Sequence, residues 1–398
     1  MQTPLVPASL YDLTREQLTR QLAEWGEPAF RARQIWHWLY QRLVSDIDEM
    51  TDLPRPLRAR LRQAYALGRL TVAASQRSSD GWTRKWLFRL ADGSTIETVL
   101  MEYDGLRRTA CVSSQAGCAM DCPFCATGQM GFLRNLRAGE IIEQVIWVAR
   151  ALQAADGDRQ SPAGKRPIHA AAGSGERLSN LVLMGMGEPF ANYNNVLEAV
   201  RRVMWPQGDG GFGLGARKIT ISTVGLAPAI RRFAGEEAQV NLAISLHAAT
   251  DELRDQLVPI NRRYPLRQLV EATRDYIAQT NRRVSYEWAL IEGVNDTVRQ
   301  AEALVALVHQ TNPKPGAHLV HVNMIPLNPT SGYQGYASRR ARIQQFREVL
   351  TRAGIPNTLR VRRGIDIGAG CGQLKSEAAG AGAAPAEGMP EPEKQTSG

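Results

Sequence analysis

Short apolar runs alternate with helical patterns through most of the chain, from about residue 109 to residue 353. Such alternation is typical of βαβ units, and consecutive units of this kind build a parallel sheet. The runs that we predict to be strands are 109–113, 181–184, 218–222, 241–245, 284–290 and 318–325. The predicted helices are 138–153, 194–204, 226–234, 266–280, 297–311 and 338–353. Six strand–helix units are too few for a closed eight-stranded barrel, so the sequence predicts an open α/β sheet.

The region before this alternation has two different patterns. Residues 13–65 are helical in period, and Thr14-Arg-Glu-Gln predicts a capped helix start. Residues 70–102 instead alternate like strands, with a hairpin turn at Ala91-Asp-Gly-Ser. We therefore predict an N-terminal helical domain (1–66), a β-hairpin connector (67–104), a core (105–355), a C-terminal segment (356–375) and a disordered tail (376–398). The Gly-rich stretches 154–177 and 206–215 are expected to be surface loops.

The charge balance indicates a polyanionic partner. The chain has 48 Lys and Arg against 39 Asp and Glu, a formal net charge of +9, which suits RNA but is also found in proteins that bind no nucleic acid. Arg55, Arg58, Arg60 and Arg62 form either an RNA-facing surface on the helical domain or a solvated helix face. The N-terminus lacks the basic region and apolar run of a signal peptide, and no membrane span is visible. A cytoplasmic protein with no membrane partner is expected.

Four of the five cysteines lie between residues 111 and 125. Cys118, Cys122 and Cys125 have the spacing CxxxCxxC, which can hold three irons of a 4Fe-4S cluster and leave the fourth iron without a protein ligand. A zinc site usually draws its fourth ligand from a second CxxC or a His pair, and a ferredoxin needs a fourth cysteine; neither is present nearby. The spacing therefore favours an open cluster over zinc or chance clustering.

The CxxxCxxC loop resembles that of the radical S-adenosylmethionine (SAM) superfamily, in which the open iron binds SAM. Cys111 precedes the loop by seven residues, and Cys371-Gly372-Gln373-Leu374 follows an Arg360-Val-Arg-Arg-Gly364 run near the end. Together these segments resemble the RlmN family, and the likeness extends over about residues 10–375. It implies an open six-stranded partial (βα)6 barrel and an enzyme that methylates C2 of adenosine in 23S rRNA and tRNA.

The resemblance also implies which residues contact SAM. Gly187 and Glu188, in Gly185-Met-Gly-Glu-Pro189, are similar to the motif that binds the SAM amino group. The other implied SAM contacts are Ser222, Ser245, Leu246, His247 and Asn328. All of them follow or end predicted strands, where barrel enzymes place their sites. Singly, the glycine motif is also an ordinary turn, and His247 an ordinary packed histidine.

The resemblance implies two SAM molecules per turnover and three catalytic residues. One SAM methylates Cys371; the second is cleaved to a radical that activates this methyl group for addition to C2. Cys111 then releases the product by forming a disulfide with Cys371, and Glu97 serves as a proton acceptor. A nearby cation such as Arg107, Arg108 or Arg363 would favour the thiolate. One departure is Gly370 before Cys371, where the family usually has alanine.

The implied partners are 23S rRNA, tRNA and a reducing electron donor such as flavodoxin, and the protein is expected to be a monomer. Three alternatives remain. Cys111 and Cys371 can be two inert buried thiols. A sister family that methylates C8 of adenosine shares every cysteine role. A non-catalytic iron-sulfur protein that binds RNA would need neither a SAM pocket nor the two extra cysteines.

Overall fold

The computed structural model describes residues 8–103, 107–157, 177–312 and 318–375. The expected disordered tail lies outside the described residues, as does most of the expected surface loop at 154–177. Within the described part, no helix combines the length and apolar character needed to cross a membrane.

The N-terminal part is helical, as predicted. Its elements are β1 (Ala8–Ser9), α1 (Arg15–Glu24), α2 (Phe30–His37), α3 (Arg55–Ala64) and β2 (Tyr65–Ala66). The predicted cap at Thr14 is confirmed: its hydroxyl accepts from the Gln17 backbone, and the Gln17 side chain accepts from the Thr14 backbone. Strand β1 pairs in parallel with β2, so the two ends of this part of the chain are joined.

The helical part packs directly on the core. Leu10 and Tyr11 belong to the same buried apolar cluster as the central strands. The Arg202 guanidinium donates to the Tyr11 carbonyl at 2.6 Å, and the Ser9 hydroxyl donates to Glu143 at 2.8 Å. These buried contacts show that the helical part and the core share one hydrophobic interior.

The remaining elements follow in chain order. The strands are β3 (Thr71–Arg77), β4 (Thr83–Arg89), β5 (Thr95–Tyr103), β6 (Arg107–Cys111), β7 (Gln115–Gly117), β8 (Phe132–Asn135), β9 (Asn180–Leu183), β10 (Ile219–Thr223), β11 (Asn241–Ser245), β12 (Val284–Leu290), β13 (Val320–Pro326) and β14 (Asn357–Leu359). The helices are α4 (Ala126–Gln129), α5 (Ala138–Gly157), α6 (Tyr193–Met204), α7 (Ala227–Ala234), α8 (Asp251–Leu257), α9 (Leu266–Thr280), α10 (Val298–Thr311) and α11 (Arg340–Arg352).

Ten of these strands form a mixed sheet in the order β14-β13-β12-β11-β10-β9-β6-β5-β4-β3, and β7 and β8 form a separate hairpin. From β6 to β14 neighbouring strands are parallel, and β3 to β6 form an antiparallel meander. Because the terminal strands β3 and β14 are not neighbours, the sheet is open, as predicted. The connector strands are hydrogen-bonded to the core through β5 and β6, so they extend its sheet.

The predicted strands and helices are all present, most with ends shifted by one or two residues. The largest shift is at α5, which was predicted to end at residue 153 and continues to Gly157. The short elements β1, β2, β7, β8, β14, α4 and α8 were not predicted. Strand β14 pairs with β13 and leads directly into the segment that carries Cys371.

Candidate active site at the carboxyl ends of the parallel strands

A cavity of about 160 Å³ lies where β9, β10, β11 and β13 end. The candidate residues that line it are Cys118, Cys122, Cys125, Gly187, Glu188, Ser222, Ser245, His247, Asn328 and Cys371. Glu97, Cys111 and Leu246 are not part of its wall. Residues separated by more than 250 positions thus meet at one edge of the sheet, because parallel strands deliver their carboxyl ends to the same edge.

The cysteine loop is held by a short hairpin. Strands β7 and β8 pair antiparallel on either side of it, and the Cys118 amide donates to the Gly131 carbonyl at 2.8 Å. The Cys125 amide donates to the Cys122 carbonyl at 3.1 Å. A Cβ atom at Gly128 would lie 2.8 Å from the Cys122 carbonyl oxygen, so this close backbone approach requires glycine. The loop is therefore fixed by backbone contacts.

The three thiols fit an open 4Fe-4S cluster better than a zinc ion. They line one cavity, and each of Cys118 and Cys125 raises the pKa of the buried Cys122, which burial itself raises most. No three His, Cys, Asp or Glu side chains among the described residues converge closely enough to hold a single metal ion. A cluster spaces its thiolates around a larger cube and needs only three of them to leave one iron open.

Glu188 ends the loop after β9 and is buried, with 2% of its surface exposed. Its two carboxylate oxygens accept from the backbone amides of Phe190 at 2.9 Å and Val224 at 2.8 Å. Burial raises the pKa of Glu188 to about 7, and these hydrogen bonds oppose the rise. A carboxylate has further lone pairs, so it can also accept from a ligand ammonium in the cavity.

His247 follows β11 in the left-handed backbone region, with φ of 59°. Its Nδ1 accepts from the Ala289 amide at 2.9 Å, so Nε2 carries the proton of the neutral ring. Burial and then Arg254 lower the pKa of His247 to about 3, which keeps the ring neutral. The neighbouring Leu246 side chain packs in the apolar core instead, and its carbonyl accepts from Arg254. The expectation that Leu246 lies at the ligand cavity is therefore not met by its side chain.

Asn328 connects the end of β13 with the C-terminal segment. Its amide nitrogen donates to the Cys371 carbonyl at 3.0 Å, and its buried oxygen has no hydrogen-bond partner among the described residues. A Cβ at Gly370 would lie 2.6 Å from the same amide nitrogen. Glycine at this position, the departure noted in the sequence, therefore permits the close contact between Asn328 and the Cys371 backbone.

The C-terminal segment also contacts the cysteine loop. The Ala126 amide donates to the Gly372 carbonyl at 2.7 Å, and the Thr127 hydroxyl donates to the Leu374 carbonyl at 2.7 Å. These bonds bring Cys371 to the wall of the cavity that the three loop cysteines line.

Cys371 lies close enough to Cys111 to affect the ionisation of the Cys111 thiol. Burial, followed by Cys371, raises the pKa of Cys111 to about 12. The Cys371 thiol is open to the cavity but surrounded by protein; desolvation raises its pKa and the Arg360 guanidinium lowers it. Arg360 also lowers the pKa of Cys111. All five cysteines are free thiols.

The cation beside the two thiols is thus Arg360, which the sequence did not single out. Arg363, one of the expected cations, lies over the Tyr103 ring at 4.7 Å and near Asp80. Arg107 lies over the same ring at 3.8 Å. No signal in the sequence distinguishes Arg360 from Arg363, because the turn after β14 decides which guanidinium points inward.

Glu97 lies outside the cavity wall but on the sheet face that carries Cys111. In the register of β5 with β6, Val99 is opposite Cys111, and Glu97 is two residues from Val99 on the same face. The Glu97 carboxylate is buried and receives Lys85 Nζ at 2.7 Å and the Lys375 amide at 2.9 Å. Burial raises the pKa of Glu97, and Lys85 acts against this rise.

Two further buried charges were missed from the sequence: one fixes loops at the end of the sheet, and the other lines the cavity. Arg254 is fully buried and donates to the carbonyls of Leu246, Val224 and Ser245, so it fixes the loops after β10 and β11. Glu287 lines the cavity and accepts from Asn323 at 3.0 Å. A lone carboxylate in the apolar strand β12 was a visible signal for Glu287. No sequence signal pointed to Arg254, since the charged pattern of α8 is typical of an exposed helix.

The arginines of α3 are largely engaged within the helical part. Arg58 donates to the Asp48 carbonyl at 2.6 Å, and Arg62 pairs with the Asp48 carboxylate. Arg60 lies over the Trp25 ring at 4.6 Å. The structure records no partner for the exposed Arg55 among the described residues. Arg58, Arg60 and Arg62 thus each have a partner within the helical part.

Comparison with known proteins gives two family matches. The family described as "Ribosomal RNA large subunit methyltransferase N-terminal domain" matches residues 8–67, and the "Radical SAM superfamily" matches residues 112–305. These ranges correspond to the helical part and to most of the parallel sheet.

Full-length relatives are also similar. A probable dual-specificity RNA methyltransferase RlmN of Chloroflexus aurantiacus is 51% identical over 365 residues, covering 92% of each chain. The dual-specificity RNA methyltransferase RlmN 1 of Myxococcus xanthus is 47% identical, covering 93% of this chain and 94% of its own. The crystal structure of a radical SAM methyltransferase from Sphaerobacter thermophilus superposes with a TM-score of 0.83, at 47% identity, over 93% of this chain and 100% of the other.

Proposed function

Because the chain belongs to the RlmN family of radical SAM methyltransferases, we propose that it methylates C2 of an adenosine in 23S rRNA and of the adenosine next to the anticodon in tRNAs. Membership makes the protein an RNA methyltransferase that uses a 4Fe-4S cluster and SAM. The choice of C2 and of these two RNA classes is the proposal.

The candidate residues divide into three groups by what they hold. Cys118, Cys122 and Cys125 hold the cluster. The SAM site consists of Gly187, Glu188, Ser222, Ser245, Leu246 through its backbone, His247 and Asn328. When bound, the cluster and two SAM molecules per turnover supply the methyl group and the one-electron chemistry that an aromatic carbon requires. Glu188, held by two backbone amides, is oriented to accept from the SAM ammonium.

Cys371 accepts the methyl group and carries it to the base. Its thiol opens into the cavity, and Arg360 favours the thiolate needed for attack on a methyl group. After the methyl-derived CH2 carbon bonds to C2, the adduct would give up its unpaired electron through the one-electron chemistry that the bound cluster supplies. Glu97 accepts the proton from C2, and the electron pair of that C–H bond remains on the ring. Cys111 then attacks the Cys371 sulfur: a sulfur–sulfur bond forms, the pair of the broken sulfur–carbon bond stays on the CH2 carbon, this carbon takes up a proton to complete the methyl group, and the methylated base leaves.

The observation that carries this proposal is that the loop cysteines, Cys371 and Cys111 lie near one another. Cys371 shares a cavity wall with the three loop cysteines and the SAM residues, and it is near enough to Cys111 to change its pKa. An iron-sulfur protein that only bound RNA would have no need of this arrangement. The geometry equally suits methylation at C8, so regiochemistry needs a chemical test.

The test is anaerobic turnover of the reconstituted holoenzyme with dithionite, SAM and protein-free 23S rRNA. The RNA is then digested, and the methyladenosine is identified by mass spectrometry against C2 and C8 standards. 2-Methyladenosine supports the proposal; 8-methyladenosine assigns the chain to the sister activity. Absence of SAM cleavage in a preparation with full cluster content favours the non-catalytic alternative.

The proposal includes the setting of the reaction. We place the protein in the cytoplasm, as a monomer, with a low-potential donor such as flavodoxin in place of dithionite. The helical domain (1–66) is proposed to bind RNA, 105–355 to form the radical SAM core, and 356–375 to deliver Cys371. The connector (67–104) contributes Glu97.

A further inference from the structure

A buried ion pair joins the connector strands to both ends of the segment that carries Cys371. Lys85 on β4 and Glu97 on β5 are only 9% and 4% exposed. In the strand register Leu87 lies opposite Glu97, which makes Lys85 and Glu97 diagonal neighbours on one face. Long side chains in this relation reach each other, and Lys85 Nζ lies 2.7 Å from Glu97 Oε1.

The same pair contacts the C-terminal segment twice. Lys85 Nζ donates to the Gly368 carbonyl at 3.4 Å, and the Lys375 amide donates to Glu97 Oε2 at 2.9 Å. Gly368 precedes Cys371 by three residues and Lys375 follows it by four. Lys85 therefore holds the stretch 368–375 at its first residue, and Glu97 holds it at its last.

We propose that Lys85 is a positioning residue for the methyl transfer: it keeps the Glu97 carboxylate ionised and aimed, and it ties that carboxylate to the segment bearing Cys371. This inference rests on the proposed function, in which Glu97 accepts the proton. A buried carboxylate without a partner takes up a proton and can no longer act as a base. Lys85 prevents this, and its bond to the Gly368 carbonyl ties the base to the segment that carries Cys371.

The charged groups that face Glu97 are Lys85 from β4 and Lys375 from the C-terminal segment. Burial raises the pKa of Glu97, while Lys85, through charge and hydrogen bond, and Lys375 lower it. Removing the Lys85 charge leaves burial less opposed, so the pKa of Glu97 rises further. At neutral pH a smaller fraction is then ionised, and raising the pH restores it.

The experiment compares Lys85→Met with Lys85→Arg in the reconstituted holoenzyme, across a pH series, with SAM, dithionite and 23S rRNA. Lys85→Met should lose RNA methylation at neutral pH and recover as pH rises, with the half-maximal pH moved upward by about one unit, a ten-fold change in the ionisation constant. Lys85→Arg should keep the wild-type pH profile. The matched control is Arg84→Met, which removes an exposed charge from the same strand, on the face opposite Lys85, and should have no effect.

Folding and earlier steps are followed separately. Cluster content and SAM cleavage without RNA should persist in Lys85→Met. S-methylation of Cys371, followed by peptide mass spectrometry, loses only the Gly368 contact and should keep the wild-type pH profile. If that variant loses its cluster, Lys85→Gln, which keeps a hydrogen-bond donor, replaces it and carries the same expectations. A loss that is equal at every pH would mean that Lys85 is merely structural and would overturn the proposal, as would a wild-type profile in the neutral variants.

Glu97→Gln distinguishes failure of this inference from failure of the proposed function. It should stall at the protein–RNA adduct at every pH, and Lys85→Met combined with Glu97→Gln should be no worse than Glu97→Gln alone, because both act on one step. Normal turnover by Glu97→Gln would remove Glu97 from the mechanism. A stalled Glu97→Gln beside a normal Lys85→Met would refute only the role of Lys85.

Discussion

The cysteine loop and the C-terminal segment both present thiols to one cavity, but they are held in different ways. The loop lies between paired strands β7 and β8 and is followed at once by helix α4. The segment after β14 has no further strand or helix up to residue 375 and turns at Gly364, Gly368 and Gly372, all with positive φ. The loop lies within regular backbone pairing, whereas the segment is held by individual hydrogen bonds, most of which involve side chains.

This difference follows from what each region has to do. Cluster ligands must keep one geometry throughout a reaction. In the proposed mechanism Cys371 meets a methyl donor, an RNA base and Cys111 in turn, which one rigid position cannot provide. Segments that move are drawn from regions with few buried apolar contacts. Substitutions in the cysteine loop should therefore abolish both SAM cleavage and RNA methylation. Substitutions in the C-terminal segment should block individual later steps and leave SAM cleavage intact.

The largest effect is expected from the loop. Cys122→Ala removes one of three cluster ligands and should reduce both SAM cleavage and RNA methylation to background. Iron content, the visible absorption of the cluster and 5′-deoxyadenosine formation measure this. Cys371→Ala is the matched control, since it removes a thiol from the same cavity and should keep SAM cleavage. Persistent SAM cleavage by Cys122→Ala would show that the loop is not the cluster site.

The next effect separates the two lone cysteines. Cys371→Ala lacks the methyl carrier, so neither S-methylation nor attachment to RNA should occur. Cys111→Ala should methylate Cys371, add to the base and then stall, because the step it lacks comes after carbon–carbon bond formation. A covalent protein–RNA adduct should accumulate only in Cys111→Ala, visible on denaturing gels as a band that nuclease shifts.

The double variant completes this comparison. Cys111→Ala combined with Cys371→Ala should behave like Cys371→Ala, since without a carrier there is nothing to release. Normal turnover by Cys111→Ala, or an adduct formed by Cys371→Ala, would contradict the assigned roles.

A smaller effect is expected at the contact between the two regions. Thr127→Val removes the hydroxyl that donates to the Leu374 carbonyl while keeping the side-chain shape. Loss of one such bond costs about 1 kcal/mol. The arrangement in which the C-terminal segment is bonded to the cysteine loop then becomes less populated, so methylation of Cys371 should slow about five-fold. SAM cleavage should be unchanged, because the backbone bonds of the loop remain. Thr127→Ser keeps the hydroxyl and should restore the rate.

An equal fall in SAM cleavage and Cys371 methylation in Thr127→Val would mean that the hydroxyl supports the loop itself. The two regions would then form one rigid unit, contrary to the comparison above.

The two regions also differ in how far the sequence predicted them. The cluster ligands and the strand ends bearing Glu188, Ser222 and His247 follow from local spacing and period. The contacts of the C-terminal segment cannot be predicted in this way. Lys85 and Glu97 meet through the register of β4 and β5, and Lys375 reaches them only because the chain turns back hundreds of residues later. The position of the Arg360 guanidinium beside Cys111 and Cys371 likewise depends on the turn after β14 and not on a local sequence pattern. Strand β14 has three residues, too few for a periodic signal, and forms because β13 offers a free edge.

The smallest effect is expected outside both regions. Arg55 is exposed at the start of α3, whereas Arg58, Arg60 and Arg62 contact neighbours within the helical domain. If Arg55 contacts an RNA phosphate, Arg55→Ala should weaken 23S rRNA binding a few-fold and reduce the slope of log affinity against log salt by about one. SAM cleavage and Cys371 methylation should not change, because neither region of the cavity is altered.

The matched control is Arg231→Ala on α7, where the guanidinium is exposed and paired with Asp275. Fluorescence anisotropy of a labelled rRNA fragment over a salt series measures both variants. An unchanged slope for Arg55→Ala would exclude this arginine from the RNA interface. A change in Cys371 methylation without RNA would instead mean that the helical domain acts on the cavity through the core they share, since Tyr11 and Ser9 are bonded to Arg202 and Glu143 beneath the sheet.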